Sequence, residues 1–333
     1  ADKVARAKGR MFCDFAFWVG GTRDTIDELP ALERLPGAAG IKVFIGSSTG
    51  DLLVADAPSL RRILEAIDRR AAFHCEDEAR LRQRLGERRA GDPSSHPAWR
   101  DETAALEATR TLVGLAEELG KRVHVLHVST AAEMAFLRAH KDLASVEVTP
   151  QHLTLAAPEA YAALGTLAQM NPPVRDAAHR AALWRGLADG TADILGSDHA
   201  PHTLEEKAKP YPASPSGMPG VETLLPVMLD HVAHRRLTLA RLVDLTSAGP
   251  QRLFGVRGKG RIAVGYDADV VLVDLKRQTT ITNATMASRC GWTPYHGVTV
   301  TGWPVATVVR GAVVMRDGEV VGEARGEVVR FGG

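Results

Sequence analysis

The chain has no marked excess of either charge: 41 Lys and Arg stand against 40 Asp and Glu, a formal net charge of +1 over 333 residues. That balance gives nucleic acid nothing to hold, so a polyanionic partner is not expected. Long apolar runs are missing too, since none approaches the roughly 20 residues that cross a bilayer. The charged opening, Ala1 to Lys8, is not followed by the apolar stretch of a secretory signal. No membrane partner is expected. Cysteine is scarce: Cys13, Cys75 and Cys290 are odd in number and far apart, which argues against a disulfide framework and for a cytoplasmic protein. There is no internal repeat and no low-complexity tract. There is also no initiator methionine, and the chain opens in what reads as the middle of a helix, so a piece of something longer is expected.

What is present is an alternation. Six strand-like segments are separated by helical ones, the signature of a parallel sheet. Met11 to Val19 is a dense apolar run. Gly40 to Gly46 carries Lys42, Ala71 to Asp77 carries His74, and Val123 to Ser129 carries both His124 and His127. Val146 to Leu153 follows, and Ala192 to His202 carries Asp198. Helices are expected over Pro58 to Arg70, Asp101 to Leu119, Thr130 to His140 and within Pro172 to Gly190. Leu81 to Trp99 reads as an exposed excursion. Glu205 to Gly220, rich in Pro, Gly, Ser and Lys, reads as a mobile lid. From Gly258 the pattern changes to short β-branched runs, Arg261 to Gly265, Ala268 to Asp274, Val305 to Arg310 and Ala312 to Met315. This divides the chain into a barrel-like part, residues 1–256, and a β appendage, residues 257–333.

Polar residues at the carboxyl ends of buried parallel strands need a reason, because catalysis in such barrels sits at that face. Taken singly, His74 and His127 read as core histidines satisfied by backbone, and His124 competes with His127. Asp198 alone could cap the next helix. Lys42 alone reads as a surface lysine or one paired with a carboxylate. Together, imidazoles and a carboxylate on different strand ends match the ligand set of zinc and similar divalent ions. For Lys42 the functional reading is a buried neutral amine that takes up carbon dioxide, the carbamate bridging two metals.

The segments GIKVFIGSSTG (40–50), HCED (74–77), HVLHVST (124–130), TPQHL (149–153), NPPVR (171–175) and GSDHAPHT (196–203) resemble the cyclic amidohydrolases of the amidohydrolase superfamily, and within them the dihydroorotases. KGRIAVGYDADVVLVD (259–274) and CGWTPYHG (290–297) extend the likeness, which runs from about residue 10 to 315. The resemblance implies an α/β fold, a TIM-type (β/α)8 barrel of the amidohydrolase type with strands three to eight present, plus part of a small β-sandwich. It implies Lys42 as a carboxylated lysine bridging two divalent ions, expected to be zinc. His74 and His127 would hold the second ion, and Asp198 would hold the first and act as general base. Asn171 would contact the substrate ring and His202 its carboxylate, and the backbone from Ser216 to Gly220, Gly217 included, would close over it. The reaction implied interconverts carbamoyl-aspartate and dihydroorotate in pyrimidine synthesis. Dihydropyrimidinase (hydantoinase) and allantoinase are the alternatives within the family. A non-catalytic homologue partnering aspartate transcarbamoylase is the alternative outside catalysis.

One departure qualifies this. The family's first strand bears His-x-His and, shortly after, an arginine, and no His-x-His occurs among the twelve histidines here. The chain as it stands is therefore expected to bind one ion or none and not to turn over. The raw sheet edges of an incomplete barrel speak against a monomer, so a homo-oligomer is expected. Elsewhere the readings are bland. His96, His140, His179, His231 and His234 are taken as surface residues, Trp99, Trp184 and Trp303 as packing, Arg82 to Arg89 as a solvated face, and Cys75 as pointing away from the barrel interior.

Overall fold

A computed structural model describes residues 1–48 and 52–332, so part of the expected Gly46 to Gly50 loop lies outside the described residues. Six parallel strands run in chain order across one open sheet: β1 (Phe17–Gly20), β2 (Ala38–Phe44), β3 (Ala71–His74), β4 (Val123–Val125), β5 (Ala144–Val148) and β6 (Ile194–Leu195). This is the parallel α/β sheet that the alternation predicts, and its six strands form the partial barrel that the resemblance implies. Helices cover the sheet because their apolar stripes face it. In Ala57–Ala66 the buried positions are Leu60, Ile63 and Leu64, and the helix starts where the Asp56 carboxylate accepts from the Ser59 N–H. Glu102–Leu119 is capped by Asp101 and stopped by Gly120 in the left-handed region (φ 62°), as its sequence predicts. Ile41, Val43, Phe73, Val125, Val146 and Val148 fill the core between sheet and helices. Strands buried on both faces read as continuous apolar runs, which explains why a polar residue at their ends stands out.

Register brings those ends level. Lys42 pairs with Gly20 on one side and Ala72 on the other, and Phe44 pairs with His74. The Met11 to Val19 run is strand only from Phe17. Upstream, Phe15 bridges Val328, and the Asp14 side chain turns to Lys259 and Arg310, so this stretch serves the chain's C-terminal segment instead of the sheet.

The appendage is one antiparallel layer, with strand order β10 (Glu319–Val320), β9 (Ala312–Arg316), β8 (Thr299–Val309) and β7 (Val270–Thr280). It joins the barrel part through the helix Leu224–Ala233, which packs on β8. Gly302 makes that approach feasible: it has φ 102°, and a Cβ there would lie 2.7 Å from the Leu229 Cβ. The expected strand Arg261 to Gly265 does not form. Ile262 and Val264 are fully exposed with no ladder partner among the described residues, and glycines of positive φ at 258, 260 and 265 interrupt the segment. No helix among the described residues is long and apolar enough to cross a membrane.

Candidate metal centre

His74, the last residue of β3, and His127, just past β4, are both buried and face one another: His74 Nδ1 lies 3.1 Å from His127 Nε2, with the rings at 74°. His127 has φ 36° and Asp198 has φ 41°, a backbone region that costs a non-glycine residue energy. Strain at two of the residues that the sequence singles out fits strand ends bent to aim side chains inward. His124 resolves differently from His127. Its Nδ1 meets Ser145 Oγ at 2.8 Å and its ring packs on Phe254, away from His74.

Charge is unbalanced here. Burial lowers the pKa of His74, with Glu76 pulling the other way, and burial together with the charges of His74 and Lys42 holds His127 well below the ordinary range. Asp198 keeps a partly accessible edge but is walled in by protein, and this desolvation pushes its carboxyl up to about 6; Lys42 opposes the shift and Glu147 adds to it. Lys42 sits with Nζ 4.6 Å from the centre of the Phe44 ring, itself 5.6 Å from the His74 ring. The charge of Lys42 thus reaches His74, His127 and Asp198 alike. Only the two imidazoles touch, and Asp198 does not join them in a cluster of ligand atoms all within 4.8 Å.

His127 Nδ1 is buried without a hydrogen-bond partner. The 3.1 Å between His74 Nδ1 and His127 Nε2 suits two nitrogens sharing one ion, since tetrahedral Zn–N bonds of about 2.0–2.1 Å place such ligands about 3.3 Å apart. The donor set fits a metal. By contrast, the cluster Asp14, Asp267 and Asp269 surrounds the Lys259 ammonium, with Lys259 Nζ 2.5 Å from Asp14, 2.9 Å from Asp267 and 2.5 Å from Asp269. A cation already fills it.

Sequence reasoning missed the support around His74. Its Nε2 lies 3.0 Å from Glu76 Oε2, a contact of charge and distance without hydrogen-bond alignment. Burial raises the Glu76 pKa, but Arg100 and His74 outweigh it and hold the carboxyl far below the usual range. Arg100 is buried too, bonding both Glu76 oxygens and the Ser47 carbonyl. Glu76 lies inside the HCED segment, so its neighbourhood is legible; Arg100, the residue after the excursion taken as exposed, gave no signal. Cys75, between them, does face away, into the core.

The expected substrate residues gather on a separate wall. Asn171 lines a cavity of about 300 Å3 with Ser47, Ser48, Ser214 and Ser216. His202 Nε2 is 3.2 Å from the Ser216 carbonyl, and a Cβ on Gly217 (φ 142°) would lie 2.4 Å from the Ala200 carbonyl oxygen, so only glycine fits. The Glu205 to Gly220 stretch is not the free lid expected. Tyr211 and Met218 are buried, and the buried Lys207 ammonium donates to the carbonyls of Gln169, Pro215 and Gly217 at 2.8–3.1 Å, stapling the loop to the Asn171 segment. Burial draws the Lys207 pKa down to about 7, while three carbonyls match the three donors of the charged form. His96 also corrects the sequence reading. It is fully buried, not a surface residue, because its partners Met170, Asn171 and Tyr211 arrive from distant segments. His231 is likewise largely buried, edge-on to Trp184.

Residues 55–314 match the amidohydrolase family. A dihydroorotase of Methanosarcina mazei is 36% identical over 327 residues, spanning 94% of this chain and 71% of that protein. One of Halobacterium salinarum is 38% identical over 335 residues, spanning 99% of this chain and 76% of that protein. Among solved structures, an L-hydantoinase (dihydropyrimidinase) from Arthrobacter aurescens superposes with a TM-score of 0.92 at 30% identity, covering 98% of this chain and 76% of that one.

Proposed function

The chain belongs to the amidohydrolase family, and from that premise we propose that it is a metal-dependent cyclic amide hydrolase, in particular a dihydroorotase serving pyrimidine synthesis. The observation that carries the reading is the pair of buried imidazoles meeting at 3.1 Å near Lys42, whose charge also reaches Asp198. His74 and His127 would hold one ion, Asp198 a second, and Lys42, as a carbamate, would bridge them. Bound there, divalent ions, zinc foremost, supply an acidified water and polarise the ring carbonyl. What the protein's own groups do follows from their surroundings. Glu76, gripped by Arg100, orients the His74 ring so that Nδ1 faces His127. Carboxylation would replace the Lys42 charge, one cause of the low pKa of both imidazoles, by a negative one. Asp198 would take a proton from the attacking water and return it to the leaving ring nitrogen. His202, Asn171 and the Gly217 loop would hold the substrate.

The relatives favour dihydroorotate, while the fold likeness to a hydantoinase supports a second reading, a neutral dihydropyrimidine or hydantoin ring. Assays of purified protein on dihydroorotate, dihydrouracil, hydantoin and allantoin, run beside metal analysis, decide between them. Turnover of dihydroorotate alone is expected of the intact, full-length protein, not of the chain as it stands. A protein with bound metal that hydrolyses none of the four defeats the proposal and leaves a non-catalytic partner of aspartate transcarbamoylase, which co-purification tests. Loss of the Lys42 carbamate signal in 13C NMR with unchanged metal content would remove the bridging role. The assembly in the cytoplasm that this reading favours, a second copy of this chain, is tested by its mass in solution.

A further inference from the structure

We propose that His96 is a positioning residue: it locks the side-chain amide of Asn171 so that its N–H donors face the cavity and take an acceptor oxygen of the bound substrate. This rests on the substrate reading above, in which Asn171 touches the ring. His96 Nε2 lies 3.1 Å from the Met170 carbonyl and 2.9 Å from Asn171 Oδ1. A carbonyl can only accept, so Nε2 carries the ring proton, and the amide must then turn its oxygen toward that same nitrogen. The other ring nitrogen, Nδ1, is left as an acceptor, and the Tyr211 hydroxyl stands 3.3 Å from it. Tautomer and amide orientation are thus fixed together by three partners drawn from two separate segments.

The consequence falls on the exposed side of Asn171. With Oδ1 held inward, Nδ2 is the atom left for the cavity of about 300 Å3, and it has no partner among the described residues. Such a group donates to a carbonyl or carboxylate oxygen and offers a ring N–H no acceptor, which gives the wall a polarity that a freely flipping amide would lack. Burial, with the charge of Arg100, lowers the His96 pKa to about 3, so the ring keeps a single proton across the working range. Tyr211 belongs to the loop stapled by Lys207, so the same chain of contacts ties the amide to the clasp over the cavity.

The test has two arms. Nitrogen-15 spectra of the imidazole and a crystal structure of the full chain read His96 and Asn171 directly. The expected result is a proton on Nε2 only, one amide orientation in the wild type, and a released Asn171 side chain in His96→Phe. A proton on Nδ1, or an unmoved Asn171 in His96→Phe, overturns the inference whatever the substrate proves to be. Should His96→Phe not fold, His96→Gln, which keeps a donor near the same place, is expected to retain the amide orientation, and failure to do so counts against the inference equally. In the second arm, Asn171→Ala and His96→Phe each raise KM for dihydroorotate about tenfold, with kcat changing far less, and the double variant goes no further than Asn171→Ala. Additive effects would reduce His96 to general support and overturn the proposal. If the metal-loaded wild type ignores dihydroorotate, the substrate reading falls, and the first arm still decides the role of His96.

Discussion

Two polar clusters in this molecule are built on opposite principles. Around Lys259, three carboxylates and a neighbouring Arg310 balance one another; burial works against the ammonium, yet its bonds to Asp14, Asp269 and Asp267 prevail and its pKa is raised. Around His74, the groups work against one another: two imidazoles are driven down by burial, His127 further by His74, a lysine adds positive charge, and a carboxyl is driven up. The first cluster is complete as it stands and ties the N-terminal segment to the appendage. The second gains only when something else enters. Balance marks a staple and imbalance marks a site, although both are assembled from the same residue types.

The largest expected effect breaks that contrast at its sharper end. His127→Ala should lower metal affinity by more than about 100-fold, beyond the range seen for residues that merely support a ligand. The metal-free variant should nonetheless melt no lower than the metal-free parent, because the buried Nδ1 that lacks a partner leaves with the ring. Metal titration and calorimetry on stripped protein check both halves. A large fall in melting temperature without metal would mean that the imidazole pair is a structural contact.

Lys259→Met is the mirror experiment. It leaves Asp14, which is nearly buried, with Arg310 alone beside two further carboxylates, and should cost about 3 kcal/mol in denaturant unfolding while metal content stays unchanged. An equal loss of metal would join the two clusters into one system and dissolve the comparison.

His96 is a third case, buried yet neutral and satisfied, and pH separates it from both clusters. Its folded pKa of about 3 lies below the ordinary 6.5. Between these values the unfolded chain takes up a proton that the native protein refuses. Its contribution to stability is therefore complete above about pH 6.5 and is lost as pH falls toward 3, on the order of a few kcal/mol. His96→Gln should flatten the acid limb of stability against pH over that window. A limb of unchanged slope would assign the acid sensitivity to other groups.

How much of this could be read in the chain depended on distance along it. Lys42, His74, His127 and Asp198 stood out because each interrupts an apolar strand, a local signal that register then makes spatial. Residue pattern alone leaves His124 competing with His127 and the resemblance points to His127; the bend past β4 at φ 36° accompanies its ring facing His74. His96 and Arg100 gave no local sign: they lie in a stretch rich in charge, proline and serine, and their burial is supplied by Glu76, Asn171 and Tyr211 from elsewhere. The Glu205 to Gly220 loop misled for the same reason in reverse. Its composition reads as mobile, but one lysine with three carbonyls around it holds it down.

The smallest prediction concerns the segment where β-branched pattern and structure part company. Ile262 and Val264 were expected in a strand, yet a strand needs a neighbour to bond, and among the described residues this segment has none. Apolar side chains fully in water contribute nothing to folding that a polar one would not. Ile262→Ser with Val264→Thr should therefore shift stability by no more than about 0.5 kcal/mol and leave metal binding untouched. A larger loss in unfolding experiments would mean that these residues are covered in solution, and that the appendage has a second layer which the single sheet of β7 to β10 does not supply.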